Sequence, residues 1–576
     1  MKIKQILIGI LCITSIILHA SAYYVSVDAT GNGDGSFDNP WQLQQALNSP
    51  AALNNPIDTV WVWLKEGIYT NKYDAQSSFS CYTNGNKNAP IIFRNYKNQR
   101  VTIDSKQSYS LAATFGHCSY TWFWGIEVYN SDTSDRDHPS QDRLGNVLCS
   151  APNMKFINMI VHDMGSGIDT WKTASNTETY GCLVYNIGNN LKNGTNWEGH
   201  GHGMYLQNDT IGIKNIHNNI VFNTFGYGIK IWQTTTTDAI GNFDVQNNIV
   251  FNGGAASENL GGVGFDSRTH NFFVVSNGAN NPILNSVFKH NYTYAGINTP
   301  RPPVNAFGLN YGVKNMTLDS NYLTCQTRLG FNNTPVFTGS VKGNKFIAGI
   351  PSVYGYYLWG FTNTDFIENQ YIANVPTTGL DYFFMPNKYD PNRTHLVIYN
   401  WSGDSTVNID AAQSGLIPEE NYELINVMDY YNDKIKFKIP QDGFLHVPMS
   451  GHSFGQVIGS QKASVSQFPY FGVFIIVKSE IPTSTNIFNN KQDQILHIYP
   501  NPAQNKLKII PNNAKPGKYE LTIFDNFGRN IQLSKSIFLQ NNQHLIEVNI
   551  ENLPSGNFIL KLNNANTEYI GKFIKI

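Results

Sequence analysis

The feature that most constrains this chain is a short pattern that returns every few tens of residues. Ile216–Asn223 and Val245–Asn252 both contain Asn-Asn-Ile-Val-Phe-Asn. Looser copies follow at Phe288–Tyr294, Leu318–Thr324, Val341–Ile347 and Phe366–Ile372, and upstream at Trp122–Val128, Phe156–Val161 and Thr179–Val184. Each unit reads as a short strand, a tight Asn or Gly turn and a second short strand, with no helical period. The shared asparagines Asn219, Asn248, Asn291, Asn321, Asn344 and Asn369 stand 23 to 43 residues apart. A coil of roughly 20–25 residues with inserted loops produces such spacing. The pattern predicts an all-β body, a right-handed parallel β-helix. Its asparagines tolerate the left-handed turn and stack with side-chain hydrogen bonds from coil to coil. A β-propeller is the structural rival, but its blades would be longer and more even.

The start Met1-Lys2-Ile3-Lys4, the apolar run Ile6–Leu18 and the small-residue site Ala20-Ser21-Ala22 predict a secretory signal over residues 1–22. The run is short for a membrane span, and no transmembrane segment is expected in the mature chain. With 14% charged residues and a net charge of −1, the 576-residue chain has no field to hold nucleic acid or a charged membrane. Its 13% aromatic content suits a ligand with apolar faces and many hydroxyls, a polysaccharide. Once Cys12 leaves with the signal, Cys81, Cys118, Cys149, Cys182 and Cys325 remain, with no CxxC pair to suggest zinc. One or two disulfides are open to an exported chain, but small apolar core residues are the preferred reading for most of the five.

Tyr24–Asp28, a Gly-rich turn and Asn39–Leu47 look like an opening strand and capping helix; Asp58–Trp63 with Gly67–Tyr69, then Pro90–Asn95 and Val101–Asp104, look like the first coils. On these segments residues 23–376 resemble the pectin-lyase-like β-helix superfamily. That resemblance implies a fold that hosts lyases, hydrolases, epimerases and inert adhesins. From Asp381 the strands His395–Trp401, Ser405–Asp410, Tyr422–Val427 and Tyr470–Val477 predict a β-sandwich module over 377–478. It is similar to small β-domains that follow catalytic domains in glycan enzymes, or it caps the last coil. A polar linker over 479–495 precedes Ile498-Tyr499-Pro500-Asn501-Pro502, Leu521–Asp525 with Gly528-Arg529, Leu553–Gly556 and a basic end at Lys572–Ile576. This order of blocks resembles the small Ig-like C-terminal sorting domain of the type IX secretion system of Bacteroidetes, here residues 496–576. The resemblance implies the type IX machinery as a partner and a location outside the cell or on its surface.

Chemistry concentrates around Trp197–Gln207. His200 and His202 stand two apart on one side of a strand, and the surrounding glycines admit a ligand. HxH is a common metal spacing, but no third ligand is evident, so acid/base or substrate contact is the stronger functional reading. A structural turn is the alternative. Four segments align as stacked strands: Gly167–Trp171, Gly203–Gln207, Gly228–Trp232 and Gly262–Asp266. Their second and fourth residues point inward, Thr170 being the exception to apolarity. The outward columns then run Asp169, Tyr205, Lys230, Gly264 and Trp171, Gln207, Trp232, Asp266. Glu198, His200, His202, Arg268, His270 and Glu178 are expected at the border. Two mechanisms fit this face. In β-elimination on a uronic acid, Lys230 or a histidine is the base, Tyr205 or a histidine the acid, and Arg268 neutralises the uronate. Calcium does that last job in several lyases of the fold the chain resembles. In hydrolysis, paired carboxylates from Asp169, Asp266 and Glu198 flank the bond. The mixed basic and histidine character favours a polysaccharide lyase over a glycoside hydrolase, and a non-catalytic glycan-binding adhesin is the third reading.

Overall fold

The computed structural model describes residues 22–70, 79–106, 109–193, 196–234, 239–257, 270–277, 281–294, 305–331, 334–335, 337–347, 357–440, 442–461, 466–479, 496–501, 503–511, 514–525, 530–539, 545–564 and 568–575. The expected signal, apart from Ala22, lies outside them. Ala22 itself opens the strand Ala22–Val25, which pairs in parallel with Val60–Leu64.

Short strands separated by tight turns stack into three parallel sheets of 12, 11 and 11 strands, with one antiparallel pairing at the end of the third. Successive turns of chain visit the first sheet (for example Lys214–His217), the second (Ile220–Phe222) and the third (Tyr227–Trp232). This is a parallel β-helix, and no propeller blades occur among the described residues. Alternation along each strand sends Val62, Phe93, Phe123, Phe156, Ile216 and Val245 into one continuous core inside the coils. The helix Leu43–Leu47 turns Leu43, Ala46 and Leu47 onto that core and so covers the open end of the stack.

The corner between the first and second sheets holds the predicted asparagine ladder. Nδ2 of Asn219 donates to Oδ1 of Asn248 at 2.9 Å, and the same bond repeats from Asn248 to Asn291 (3.0 Å), Asn291 to Asn321 (2.9 Å), Asn321 to Asn344 (2.8 Å) and Asn344 to Asn369 (2.8 Å). Each Oδ1 also accepts the backbone N–H of the preceding asparagine, and each Nδ2 also donates to a backbone carbonyl one coil back. One detail differs from the expectation. The left-handed residue is the one before the ladder asparagine: Asn218, Asn247, His290, Ser320 and Gly343 carry φ between +51° and +66°. The turn therefore divides the work, one residue bending the chain and the next bonding to its neighbours. Earlier coils fill the ladder position with Ile126, Met159 and Cys182, all in the apolar core.

The sandwich is built from a five-stranded antiparallel sheet, including Leu380–Pro386, Arg393–Asn400, Phe471–Lys478 and Asn421–Asn426, and a two-stranded one, Thr406–Asp410 with Phe444–Pro448. It does more than cap the last coil: it lies along the outer face of the second sheet. Leu183, Ile220, Ile249, Tyr292 and Tyr322 of the coils share a second core with Val397, Tyr399, Trp401 and Phe471. Tyr294 stacks on Phe471 at 4.2 Å, and Tyr322 on Tyr399 at 4.2 Å. Helix and sandwich form one compact unit, residues 1–480, while residues 481–576 form a second. That second unit has its own apolar core, including Leu507, Tyr519, Ile523, Leu560 and Phe573, between a three- and a four-stranded sheet. The five cysteines Cys81, Cys118, Cys149, Cys182 and Cys325 are free and buried, as the apolar reading has it.

Asn291 tests the ladder. It accepts from Asn248 and donates to Asn321 and to the Val245 carbonyl. An Asn291→Ala change strands several buried polar groups, each worth about 1–3 kcal/mol, so we expect a loss of about 3 kcal/mol or more in chemical unfolding. A loss below about 0.5 kcal/mol would show that the ladder does not hold the coils together.

Candidate functional site

The third sheet places the candidate residues. Asp169 pairs with Tyr205 and Tyr205 with Lys230 in register, with Met204, Leu206, Ile229 and Ile231 turned into the core on either side. The outward column Asp169, Tyr205, Lys230 is as expected, and Thr170 is fully buried as the one polar inward residue. The fourth strand differs. The position beside Lys230 and Trp232 belongs to Phe273 and Val275 of the strand His270–Val275. The place expected for the segment 262–266 is thus held by this strand, and Gly264, Asp266 and Arg268 lie outside the described residues. The reason is local: His270–Val275 is buried on both faces and so shows no alternation for sequence reasoning to find.

A pocket of about 290 Å³ opens on this face, lined by Gly199, His200, Gly201, His202, Gly226, Tyr227, Lys230 and Trp232. Its geometry comes from two glycine pairs. Gly201-His202-Gly203 and Gly226-Tyr227-Gly228 lie on adjacent coils, with His202 opposite Tyr227. A Cβ at Gly203 would lie 2.3 Å from Val221, and one at Gly228 would lie 2.5 Å from Val250. Glycine is required there because the backbone closes onto the core, and this turns His202 and Tyr227 to the pocket side. Gly201, with φ of +109°, makes the bend between the strand Asn196–His200 and the strand His202–Leu206. Glu198 and His200 fall on one side of Asn196–His200, which pairs in a hairpin with Asn189–Asn193.

Lys230 is buried on the pocket floor at 5% exposure. Its Nζ lies 3.4 Å from the Trp232 ring centre, 4.7 Å from Tyr227 and 6.0 Å from Tyr205, a cage of aromatic faces that attracts a cation. His202 stacks on Tyr205 at 5.5 Å and lies 6.0 Å from His200. The Tyr205 hydroxyl accepts from Nε2 of Gln207 at 3.1 Å, and burial raises its pKa. Trp171 is 42% exposed and tilts against Tyr205 at 5.8 Å. Asp169 is buried, and desolvation pushes its carboxyl up to about 6 against the hydrogen bonds from Asn146 and Ser166, each 2.7 Å.

The structure therefore gathers Lys230, Tyr205, His202, His200, Asp169, Trp171, Gln207 and Trp232 on one face. Glu198 stands in the adjoining hairpin strand. Glu178 belongs elsewhere: it sits on the first sheet, bonded to Lys388 and Tyr389 of the sandwich and paired with Lys155 at 3.2 Å. His270 lies behind the pocket, fully buried, 4.4 Å from Phe273 and 5.9 Å from Tyr227. Tyr227 escapes sequence reasoning, because its place in the alternation reads as inward. The repeated Gly-X-Gly in successive coils is the signal that marks it. Calcium takes several oxygen ligands. The only described carboxylate in the paired column is Asp169, already held by two hydrogen bonds, and no group of three or more His, Cys, Asp or Glu that could hold a metal ion occurs among the described residues.

Residues 497–576 match the family model of the secretion system C-terminal sorting domain. No curated protein matches the chain in sequence. Among solved structures it is similar to pectate lyase Pel9A, with 18% identity over 62% of this chain and 79% of that one at a TM-score of 0.40. It is also similar to XylC in complex with xylose, with 9% identity over 66% and 89% and a TM-score of 0.35. An alginate lyase from Paenibacillus sp. str. FPU-7 gives 17% identity over 57% and 97% and a TM-score of 0.32. The sorting domain marks the chain for export to the cell surface or beyond, and no described helix is long and apolar enough to cross a membrane. The chain is a parallel β-helix protein that carries a secretion-system C-terminal sorting domain.

Proposed function

We propose that the chain is an exported polysaccharide lyase that cleaves a uronic-acid glycan by β-elimination at the Lys230 pocket. The observation that carries this reading is the Lys230 amine on the pocket floor, walled by Trp232 and Tyr227, with His200 and His202 at the rim. Sugar rings stack on Trp171 and Trp232. The Lys230 amine, once it has given its own proton to solvent, takes the proton beside the uronate carboxylate. The electron pair left behind forms the ring double bond as the glycosidic C–O bond breaks. The leaving oxygen receives a proton from Tyr205 or from His202, with His200 next to it. Gln207 fixes the Tyr205 hydroxyl, and Asp169 and Glu198 contact the sugar hydroxyls.

The test is turnover of uronic-acid polysaccharides, followed by the ultraviolet absorbance of the unsaturated product. Lys230→Ala and His202→Ala are expected to lower the rate by about 10²-fold or more, as for loss of an acid or base group. Rates within a factor of about two of the parent would remove the assignment.

Asp169 supports a second reading, glycoside hydrolysis, because a carboxyl raised to about 6 suits a proton donor. New reducing ends without the unsaturated product, lost in Asp169→Asn, would favour it. The raised carboxyl also predicts a stability effect. In the folded chain it titrates near 6 and in the unfolded chain near its ordinary value of 3.8, so between these values the folded state holds the extra proton. Stability should fall as pH rises from about 4 to about 6, by about 1.4 kcal/mol for each pH step of one within that window. Thermal melts of Asp169→Asn should lack this fall; parallel profiles would contradict the cause assigned to it.

A further inference from the structure

A second cavity, of about 700 Å³, lies where the first coils meet the sandwich, on a different flank from the Lys230 pocket. Its floor is the corner of the first and second sheets around Arg94, Trp124 and Asn158, and its wall is Arg393, Tyr430 and Lys434 of the sandwich. Arg393 is only 8% exposed, yet its Nε and Nη2 are buried with no hydrogen-bond partner among the described residues. The Arg94 guanidinium carbon lies over the Trp124 ring, 3.9 Å from its centre, and neither arginine pairs with an acid among the described residues. Asp390 is near enough to favour the Arg94 charge but does not pair with it, and burial lowers the Arg94 pKa overall.

The cavity also holds acids, and they do not cancel its bases. Glu127 is taken by Arg100 at 2.8 Å, and Lys478 is taken by Glu420 at 3.1 Å. Setting those pairs aside leaves Arg94, Arg393 and Lys434 against Asp390 and Glu423. A desolvated guanidinium with two idle nitrogens is costly unless something planar and anionic completes it, and a carboxylate fits that fork with two parallel bonds. Tyr430 stands on the wall beside them, an aromatic ring of the kind that packs against a sugar.

We infer that this cavity is a second binding site for the glycan, which holds a uronate carboxylate between Arg393 and Arg94 and a sugar ring against Tyr430. It rests on the reading of the substrate as a uronic-acid glycan, and it assigns the helix–sandwich seam the task of gripping the polymer away from the bond that is cut.

The test is calorimetric titration of the full chain with trigalacturonate and with trimannuronate, using cellotriose as the neutral comparison. The Lys230→Ala variant is run in parallel so that substrate is not consumed. At least one uronate is expected to bind, with a component that survives Lys230→Ala and weakens tenfold or more in Arg393→Gln and in Arg94→Gln. Cellotriose should lack that component. Arg94 is only half-buried, so Arg94→Gln should keep the parent melting midpoint even if Arg393→Gln does not fold. No binding of either uronate, or unchanged affinity in Arg94→Gln, overturns the inference. The two readings fail separately: arginine-dependent binding without unsaturated product keeps the cavity and removes the lyase, whereas product with arginine-independent binding does the reverse.

Discussion

The amide-to-amide hydrogen bond between asparagines of successive coils is the interaction on which the coils from Asn219 to Asn369 depend. Each ladder side chain uses its donors and its carbonyl oxygen in bonds to the coils on either side, and the interior position makes every one of those bonds costly to lose. An asparagine in this corner accepts only one spacing of its neighbours. The ladder begins on the coil that carries Lys230, while Asp169 and Tyr205 stand on the two coils before it, where Met159 and Cys182 fill the same corner and pairing along the third sheet sets the register.

The three sheets have different outward faces. The second is covered by the sandwich through Leu183, Ile220, Ile249 and a run of aromatic stacks from His162 through Tyr185 and Phe222 to Phe251. Buried charges pin the edge of this contact: Arg136 pairs with Asp163 at 3.0 Å, and Asp163 also accepts from the Ile458 backbone of the sandwich. The first sheet gives Lys155 and Glu178 to Tyr389. The third sheet carries the pocket, where glycines at 203 and 228 let the backbone close on the core and present His202 and Tyr227.

How much of this is legible in the sequence depends on how much a residue's neighbours constrain it. The ladder is legible because one residue type recurs at one turn. The register of Asp169, Tyr205 and Lys230 is legible because the strands around them alternate between core and outer face. It fails at the next strand, where Phe272 and Phe273 are both buried and the alternation is gone. Tyr227 escapes for a related reason, since a backbone closing at Gly228 reverses the side on which an alternating pattern would place it. The flank position of the sandwich has a trace in the sequence. Ile220-Val221-Phe222 and Ile249-Val250-Phe251 are apolar at every position, the mark of strands covered on both faces. That trace says a face is covered without saying by which segment, and it gives no hint of Arg393 lying idle at the seam.

The ladder also decides where this protein is free to change. The intervals between its asparagines run from 23 residues, Asn321 to Asn344, to 43 residues, Asn248 to Asn291, yet the bond at each step is the same. Doubling a loop adds only about 0.6 kcal/mol of closure entropy. Lineages of such a protein can therefore lengthen or replace whole excursions of chain, and with them the surface offered to a polymer, while the spine of asparagines passes unaltered from one variant to the next.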